Sequence, residues 1–527
     1  MRALQRVARA AAAATPIDRR TFVAGAGASL AALALGRSAA PAAAAAPARI
    51  AIVGAGMAGL TAALVLRDHG IAATIYESST RVGGRMHSLP GFWDDGQTSE
   101  WCAELTDSTH VVMHALAKRF GLTNADVLKA QPPDATQTQW FFGTYYPWAD
   151  AERDFRPVYA ELTRQLKHLG DQTTYDSATP LARSLDHVSV YDWIAKYVHG
   201  GHASPMGAFL NYAYLAEYGV DTRKQSALNI VYYVGPQPDY NQKTGDFNPL
   251  GASDQRYHIV GGNQQLPMRI AGTLPEDALL LRRRLTAIAR RSDGTVELSF
   301  DTPDGPQAVV ADKALVTAPF TVLRGLDLSK AHFDARKMLA IRTLGYGEHS
   351  KFVLQFDKRL WNERGPWGVG TGDITTDLDI VNAWDVSRAQ PGKAGLIVQF
   401  AAGEASAALK PPAPYTMSLG SEWVAGKAAA LLKQLDVVWP GVAALYNGRA
   451  ALSHPTYDPN FLGSYSCWLL GQYTGFAGYE GVRQGNVFFA GEHCDVPYQG
   501  FMEGAARTGT RAARQILADL GVRTGTR

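Results

Sequence analysis

A glycine-rich turn near the start of the chain constrains the fold more than any other feature. Residues 54–59 read Gly-Ala-Gly-Met-Ala-Gly, between a short apolar run at 49–53 and a segment with helical spacing at 57–68. A second strand pattern covers 71–77 and ends on Glu77. Such glycines permit a tight turn and let the backbone approach a pyrophosphate at a helix N-terminus, and the acidic residue can accept hydrogen bonds from a ribose. The sequence therefore predicts a βαβ unit that binds a dinucleotide.

The rest of the chain alternates between helical and strand patterns. A chain of 527 residues is too long for one ordinary core, so we expect two domains. Helical spacing is seen over 155–169, 190–198, 206–218, 333–344 and 421–435, and strand patterns over 258–263, 296–300, 307–310, 314–316 and 351–356. Because the two patterns interleave, we predict an α/β fold, α+β overall, in which a discontinuous Rossmann-like domain is combined with a mixed sheet-and-helix substrate domain. The predicted segments are 48–130, 255–330 and 455–527 for the nucleotide-binding domain, and 131–254 and 331–454 for the substrate domain.

The first 46 residues have the pattern of an export signal. Basic residues up to Arg9 precede the pair Arg19 and Arg20, which is followed by an apolar run at 23–36 and an alanine-rich stretch at 39–46. The paired arginines resemble a twin-arginine signal, and the apolar run is shorter than the roughly 20 residues of a spanning helix. We expect cleavage near the end of the alanine-rich stretch and a periplasmic or secreted protein. A retained N-terminal anchor is the alternative.

Composition narrows the class of partner. Apolar residues make up 46% and charged residues 19%, and the net charge of +3 comes without a polybasic run, which argues against nucleic acid binding. No segment after the leader is long and apolar enough to span a membrane. The cysteines Cys102, Cys467 and Cys494 are scattered and odd in number, which argues against a disulfide scaffold and a clustered metal site. We expect a small-molecule substrate, no metal and no integral membrane segment, and a homodimer is compatible with the sequence.

Two further motifs lie near opposite ends of the chain. Residues 81–86 read Arg-Val-Gly-Gly-Arg-Met, directly after the βαβ unit. Residues 487–493 read Val-Phe-Phe-Ala-Gly-Glu-His, and residues 500–505, Gly-Phe-Met-Glu-Gly-Ala, begin a predicted helix that runs to about Leu517. Together these motifs resemble those of the flavin amine oxidase family, which includes monoamine and polyamine oxidases and L-amino-acid oxidase-like flavoproteins. The resemblance extends from residue 48 nearly to the C-terminus.

The resemblance implies FAD as the cofactor. Arg85 offers a forked donor to the phosphates or the flavin edge, and Glu492 is expected at the ribityl or phosphate region. The positive end of the C-terminal helix can stabilise negative charge on the reduced flavin ring. Some monoamine oxidases attach flavin through a cysteine where this chain has Ser464, so we expect noncovalent FAD, with attachment at Cys467 as the alternative. The predicted cofactor-binding residues are Gly54, Gly56, Ala58, Gly59, Glu77, Gly84, Arg85, Leu285, Gly491, Glu492, Phe501 and Met502.

The resemblance also identifies catalytic residues. Lys351 stands where the family carries its flavin-facing lysine, and a lysine in an apolar strand is costly to bury unless it has a task. Its ammonium can hold a water near flavin N5 or promote attack by oxygen. Tyr465 and Phe501 match the two facing aromatic residues that steer a neutral amine. We therefore predict Lys351, Tyr465 and Phe501 as catalytic, and the alternative for Lys351 is the solvent face of an edge strand.

The segment around Glu104 departs from the family pattern. Residues 100–105 read Glu-Trp-Cys-Ala-Glu-Leu, without the usual glycine, and residues 93–110 contain no arginine or lysine. Related L-amino-acid oxidases place a carboxylate-binding arginine shortly after this point, so an arginine from elsewhere, such as Arg223, would have to serve. Glu104 instead suits a distal ammonium, as in polyamine or diamine oxidases, or is an ordinary capping or surface acid. We predict Glu104 and Tyr465 as substrate-binding residues.

These residues together predict a flavin-dependent amine oxidase. The expected reaction moves a hydride from the carbon that bears a neutral amine to flavin N5, after which water hydrolyses the imine. Reoxidation by O2 would give hydrogen peroxide. An L-amino-acid oxidase is the first alternative. A flavin-dependent desaturase or isomerase of apolar substrates is the second, and a non-catalytic FAD-binding protein is the third.

Overall fold

The predicted βαβ unit forms the centre of a five-stranded parallel sheet in the computed structural model, which describes residues 47–237, 248 and 251–523. In spatial order the strands are Val487–Phe489, Lys313–Val316, Ile50–Val53, Thr74–Tyr76 and Leu279–Leu280. The helix Met57–Asp68 begins and ends where its pattern predicts, whereas the strand predicted over 71–77 is shorter. The strand Ile50–Val53 is buried along its whole length, as expected for a parallel sheet covered on both faces.

The C-terminal helix, Met502–Asp519, packs on the helix Met57–Asp68. The two backbones are so close that a Cβ atom on Gly509 would overlap the carbonyl oxygen of Ala58. Small residues are therefore required where the helices cross. Ile516 and Leu60 contribute to the same buried core beneath this crossing.

A large mixed sheet of eight strands forms the second architectural unit. In spatial order its strands are Tyr415–Met417, Tyr446–Ser453, His349–Phe356, Gly395–Ala402, Asn382–Asp385, Gly370–Thr376, Thr136–Phe141 and Thr144–Tyr145. The strand His349–Phe356 is paired on both sides and buried throughout, because helix Glu422–Val438 covers one face and Trp93 and Trp101 cover the other. Lys351 therefore lies in the interior of the sheet and not on an edge strand.

The remaining elements connect and cover these sheets. Shorter sheets pair Arg284–Arg290, Val296–Thr302 and Gly305–Ala311, then Ser88–Leu89 with Ser99–Glu100, Asn124–Asp126 with Tyr257–Ile259, and Gly345–Tyr346 with Ser466–Cys467. The other α-helices are Val111–Arg119, Trp148–Leu169, Pro180–Leu185, Val190–Tyr197, Pro205–Tyr218, Ala227–Val234, Gln265–Ala271, Phe320–Leu323, Ala335–Thr343, Gly403–Ala407 and Gln472–Phe476. Within the described ranges, no helix combines the length and apolar character needed to cross a membrane.

The strands of the two large sheets follow the predicted division of the chain. Each strand of the parallel sheet comes from a segment assigned to the nucleotide-binding domain, and each strand of the mixed sheet from a segment assigned to the substrate domain. The described residues from Arg49 onward cluster as one compact unit, so the domain boundaries stay a prediction. The prediction of an export signal concerns residues 1–46, which lie outside the described part of the chain.

Candidate active site

A cavity of about 700 Å³ is lined by residues of both large sheets. Val53, Glu77 and Thr317 stand at or just beyond the carboxyl ends of parallel strands, and Lys351 and Trp384 belong to the mixed sheet. Ligands of open α/β sheets bind at the carboxyl ends of the strands. The cavity thus joins a nucleotide-binding edge to a wall built by the second sheet.

The glycine turn shapes one end of this cavity. Gly54 has a φ of 104°, which favours glycine, and a Cβ atom on Gly56 would meet no atom within 4 Å. The backbone at Gly56 therefore borders open space that a cofactor can approach closely. A Cβ atom on Gly59 would instead overlap the carbonyl oxygen of Gly54. Gly59 is not among the described residues that line the cavity, so its role is to let the helix pack against the turn.

The Glu77 carboxylate forms hydrogen bonds that link the glycine turn to the end of the strand Thr74–Tyr76. Its Oε2 accepts a hydrogen bond from the backbone N–H of Ala55 at 2.7 Å, and its Oε1 accepts one from Ser79 at 2.8 Å. The Ser78 hydroxyl also donates to Oε1, at 3.3 Å, so a second lone pair remains on Oε2. Glu77 can therefore still accept a bond from a ribose hydroxyl in the cavity that it lines.

Arg85 joins three segments that are far apart in the sequence. One of its guanidinium nitrogens, Nη1, donates to the carbonyl oxygen of Ser464 at 2.6 Å and to Glu492 Oε1 at 3.1 Å. Glu492 Oε2 accepts hydrogen bonds from Ser466 and from the backbone of Gly500. Burial alone would raise the pKa of Glu492, but the charge of Arg85 and these hydrogen bonds outweigh burial and lower it. The carboxylate is thus held ionised where the N-terminal and C-terminal motifs meet.

The donor set of the cavity fits an FAD molecule. The N-terminal turns of two helices, with Met57 and Met502, face the cavity, and helix N-termini favour negative charge. Arg283 and Arg284 line the same space and add positive charge for phosphates. Apart from Gly59, each residue predicted to bind the cofactor lines this cavity, including Leu285.

Lys351 and Glu104 form a buried ion pair on the cavity wall. Lys351 Nζ donates to Glu104 Oε2 at 2.5 Å, and Trp384 Nε1 donates to Glu104 Oε1 at 2.8 Å. Both charged side chains are only 8% exposed. Burial raises the pKa of Glu104, but the charge and hydrogen bond of Lys351 and the bond from Trp384 outweigh it, so the pKa lies below its usual value. Each oxygen of Glu104 therefore already accepts a hydrogen bond, and Lys351 already balances the negative charge of the carboxylate.

Tyr465 is held by a stack of rings. The centroid of its ring lies 4.9 Å from that of the His349 ring, and the His349 ring stacks on Phe400 with a centroid distance of 4.4 Å. The two nitrogens of His349 lie within hydrogen-bonding distance of Ser464 Oγ and of the Ala216 carbonyl oxygen. Burial lowers the pKa of His349 to about 4, so the ring is neutral at physiological pH.

Phe501 lines the cavity together with Tyr465. The adjacent Gly500 brings the chain against the tyrosine ring, since a Cβ atom there would lie 3.2 Å from its Cδ2. The two predicted aromatic residues therefore both line the cavity, close to Gly500.

Arg223, which the sequence suggested for a substrate carboxylate, does not line the cavity, whereas Arg388 does. Arg223 has a side chain that is 61% exposed and stacks on Tyr191, and it is not among the described residues that line the cavity. Arg388 does line it, and donates through Nε to the carbonyl oxygen of Asp385 at 2.9 Å. Its Nη1 lies 3.4 Å from a carboxylate oxygen of Asp373. Arg388 follows a strand in a loop, and nothing in the sequence pattern distinguishes it from a surface arginine.

The cysteines are buried and unpaired, as expected. Ser464 lines the cavity, whereas Cys467 lies in a short strand and is not among the described lining residues. Burial raises the pKa of Cys467, so its thiol is a poor nucleophile.

The fold and the cavity define an enzyme that binds a dinucleotide cofactor beside a substrate pocket, and comparison with known proteins identifies the family. The family model for flavin-containing amine oxidoreductases matches residues 57–517. The chain belongs to this family, and it is therefore an oxidoreductase of a flavin-containing class.

Similar proteins agree with this assignment. An L-amino-acid oxidase of Mus musculus is 27% identical over 500 residues, with 90% of this chain and 71% of the relative covered. An L-amino acid dehydrogenase of Synechocystis sp. is 26% identical over 490 residues, with 88% and 94% covered. The solved structure of cyclohexylamine oxidase from Brevibacterium oxydans superposes with a TM-score of 0.75 at 19% identity, covering 90% of this chain and 100% of that one. This likeness confirms the predicted fold class.

Proposed function

We propose that the protein is an FAD-dependent oxidase of amines. The observation that carries this proposal is one cavity in which the predicted cofactor-binding residues meet Lys351, Tyr465 and Phe501. Bound FAD would supply the redox chemistry by accepting two electrons from the carbon that bears the amine and passing them to O2, with hydrogen peroxide as product. The imine product would then be hydrolysed by water.

The chain's own residues would orient the substrate and supply charge. Tyr465 and Phe501 line the cavity, and their rings would orient a neutral amine. The Lys351 ammonium is held in one position by Glu104 and so presents a fixed positive charge at the wall, which would favour electron transfer to oxygen. No strong general base is needed if the amine enters uncharged.

Two observations support noncovalent binding of FAD. Ser464 occupies the position at which some relatives carry an attaching cysteine, and a hydroxyl does not form the thioether. Cys467 is not among the described residues that line the cavity, and burial raises the pKa of its thiol.

Oxidation of an L-amino acid is the second candidate, and Arg388 is the observation that favours it. Its guanidinium on the cavity wall is suited to a substrate carboxylate, since a planar fork of donors matches carboxylate geometry. Asp373 is its only charged partner closer than 4.0 Å within the described residues, at 3.4 Å. The names of the two relatives given above also point to L-amino acids.

A desaturase and a non-catalytic FAD-binding protein fit the cavity less well. A desaturase of apolar substrates would have little use for the ionised groups of Lys351, Glu104 and Arg388 on the wall. A protein that only bound FAD would not need these groups either.

A substrate panel tests the proposal. The purified protein is mixed anaerobically with monoamines, diamines and L-amino acids while the flavin absorbance is followed, and peroxide is then measured in air. We expect bleaching by amines and release of peroxide. Bleaching confined to L-amino acids, and lost in Arg388→Met, would establish the second candidate, and no bleaching by any amine or amino acid would reject both.

A further inference from the structure

Glu217 differs from Glu104, Asp373 and Glu492 of the cavity wall, which each have a cationic partner. Glu104 is paired with Lys351, and Glu492 with Arg85. Glu77 and Asp254 on the same wall have no such partner, but their carboxylates accept hydrogen bonds from backbone N–H groups. Glu217 lines the same cavity, yet among the described residues no Lys, Arg or His nitrogen lies within 4.0 Å of its carboxylate oxygens. It is therefore an acid at the wall whose cationic partner is not supplied by the described part of the chain.

The position of Glu217 assigns it to the substrate side of the cavity. It lies in the last turn of the helix Pro205–Tyr218, and its backbone carbonyl oxygen accepts the hydrogen bond of the Tyr465 hydroxyl. Glu217 is thus next to the hydroxyl end of the ring that we propose to orient the amine. Phe209 and Ala213 of the same helix also line the cavity, which makes its surroundings apolar.

The surroundings of Glu217 favour the uncharged acid when no ligand is bound. Burial raises its pKa to about 8, the Tyr233 hydroxyl lowers it, and the charge of Asp107 raises it further. Among the described residues, the phenols of Tyr214, Tyr218 and Tyr465 interact with the charge of Glu217, and burial raises their pKa values so that they are uncharged at neutral pH. A carboxylate in such a place is costly without a cation, and a substrate cation would remove that cost.

We propose that Glu217 binds a second cationic group of the substrate, so that the preferred substrates are amines with an additional ammonium or guanidinium group. This inference rests on the proposed function, because it concerns the pocket in which the amine is oxidised. Diamines and basic L-amino acids share this chemistry. Glu104, which the sequence suggested for such a cation, already accepts hydrogen bonds from Lys351 and Trp384.

Binding would be linked to proton release. In the unliganded protein at pH 7 the Glu217 carboxyl is mostly protonated, because its pKa is about 8. When a cation binds, the carboxyl loses its proton to solvent and the carboxylate forms the ion pair. Up to one proton is released for each dication bound, in addition to any proton lost from the amine that is to be oxidised.

Pairs of substrates that differ only in the second cation test the proposal. The ratio of kcat/KM is measured for 1,5-diaminopentane against 1-aminopentane, and for L-lysine against L-norleucine. In the parent we expect a ratio above about ten in at least one pair, since a charge-assisted hydrogen bond commonly contributes that much. Glu217→Gln should reduce that ratio at least tenfold, and the pair that shows the effect distinguishes diamines from basic amino acids.

Glu480→Gln is the matched control. Glu480 is also a buried glutamate with a pKa raised to about 7, but it accepts a hydrogen bond from Trp468 and is not among the described residues that line the cavity. Its substitution should leave the ratio unchanged. An equal fall of the ratio in both variants would overturn the assignment, because it would show a general effect of removing a buried acid.

Two measurements on the parent protein need no variant. For the substrate pair that shows the effect, the kcat/KM ratio of the dication to the monocation should rise with pH and level off above about 8. Glu217 ionises over this range, while the second ammonium, with a pKa of about 10, stays charged. Anaerobic calorimetry in two buffers with different ionisation enthalpies should show that the diamine or lysine releases more protons than its monocationic partner. These results decide the question even if Glu217→Gln does not fold.

The outcomes separate this inference from the proposed function. If monoamines are oxidised but the ratio stays near one and is insensitive to Glu217→Gln, the inference is wrong and the proposed function stands. If no amine bleaches the flavin, the proposed function fails. In that case calorimetry still tests the subsite, since preferential binding of the dication that Glu217→Gln abolishes would support it, and equal binding would overturn it.

Discussion

Replacing Lys351 by methionine probes the buried pair on the cavity wall. The variant removes an ammonium that lies 2.5 Å from Glu104 and keeps much of the apolar stem. The strand His349–Phe356 should therefore pack almost as before. Two effects are expected. The reaction with oxygen loses a fixed positive charge, and Glu104 loses its cation.

The two effects have different magnitudes and different readouts. Loss of one preorganised electrostatic contact slows a reaction by roughly 10²-fold, so reoxidation should slow by about that factor, while anaerobic reduction by the amine changes much less. Removing one partner of a buried ion pair costs about 3–5 kcal/mol of the free energy of unfolding. We expect about 3 kcal/mol, the lower end of that range, because Trp384 still donates to Glu104.

The stability loss should depend on pH. In the parent, the folded-state pKa of Glu104 is lowered, so its contribution is present above the unfolded pKa of about 4.3 and is lost as the pH falls. In Lys351→Met burial is no longer outweighed, and the folded-state pKa of Glu104 should lie above the unfolded value. The variant is then stable while Glu104 is protonated and loses stability as the pH rises through the raised pKa. The loss of unfolding free energy in Lys351→Met, relative to the parent, should therefore be larger at pH 8 than at pH 5.

Four proteins are compared: the parent, Lys351→Met, Glu104→Gln and the double variant, which removes both charges and should recover most of the stability. Urea unfolding of the FAD-loaded proteins at pH 5 and 8 measures stability, and stopped-flow absorbance measures each half-reaction, with FAD content as a check. Equal reoxidation rates in Lys351→Met and the parent would refute the role in the oxygen reaction. A deficit that is independent of pH and is not relieved in the double variant would refute the buried-pair reasoning.

Three further outcomes are expected. Gly59→Ala should lower the stability of the protein, because its Cβ would overlap the backbone, whereas Gly56→Ala should weaken FAD binding and leave the stability of the apoprotein almost unchanged. Unfolding and FAD titrations that gave the same result for both variants would contradict this. With Ser464 in place of an attaching cysteine, acid precipitation should release the flavin, and a pellet that stays yellow in denaturant would show covalent attachment. Changing Arg19 and Arg20 together to Lys should retain the protein in the cytoplasm, and unchanged export in cell fractionation would exclude a twin-arginine route.

Local patterns predicted local structure well. The helix Met57–Asp68 has its predicted bounds because the glycine turn fixes its start and apolar spacing continues to its end. The helix predicted over 155–169 instead begins at Trp148, because its first turns carry several charged residues that conceal the apolar spacing. Residues 81–86 and 487–493, two motifs from opposite ends of the chain, meet in the hydrogen bond between Arg85 and Glu492.

Local sequence patterns do not predict which side chains contact each other in the folded protein. Lys351 was identified by resemblance, but its pairing with Glu104 joins residues 247 positions apart and depends on how the mixed sheet is folded. Arg388 carries no signal in the sequence. Glu217 does carry a sequence signal, because it is the only charged residue in the otherwise apolar or neutral helix Pro205–Tyr218. A single acid in such a helix indicates a functional role, since burying it without a partner is costly.

The parallel sheet also sets an order of assembly during synthesis. Its central strand Ile50–Val53 is translated long before the edge strand Val487–Phe489 and the covering helix Met502–Asp519. Contacts between such distant segments form slowly, and until then the early elements lack the surfaces that bury them. The glycine turn is therefore held in its folded position only after the edge strand and the covering helix have been translated. A chain truncated before Val487 would retain the N-terminal nucleotide-binding motifs and yet have no folded site in which to use them.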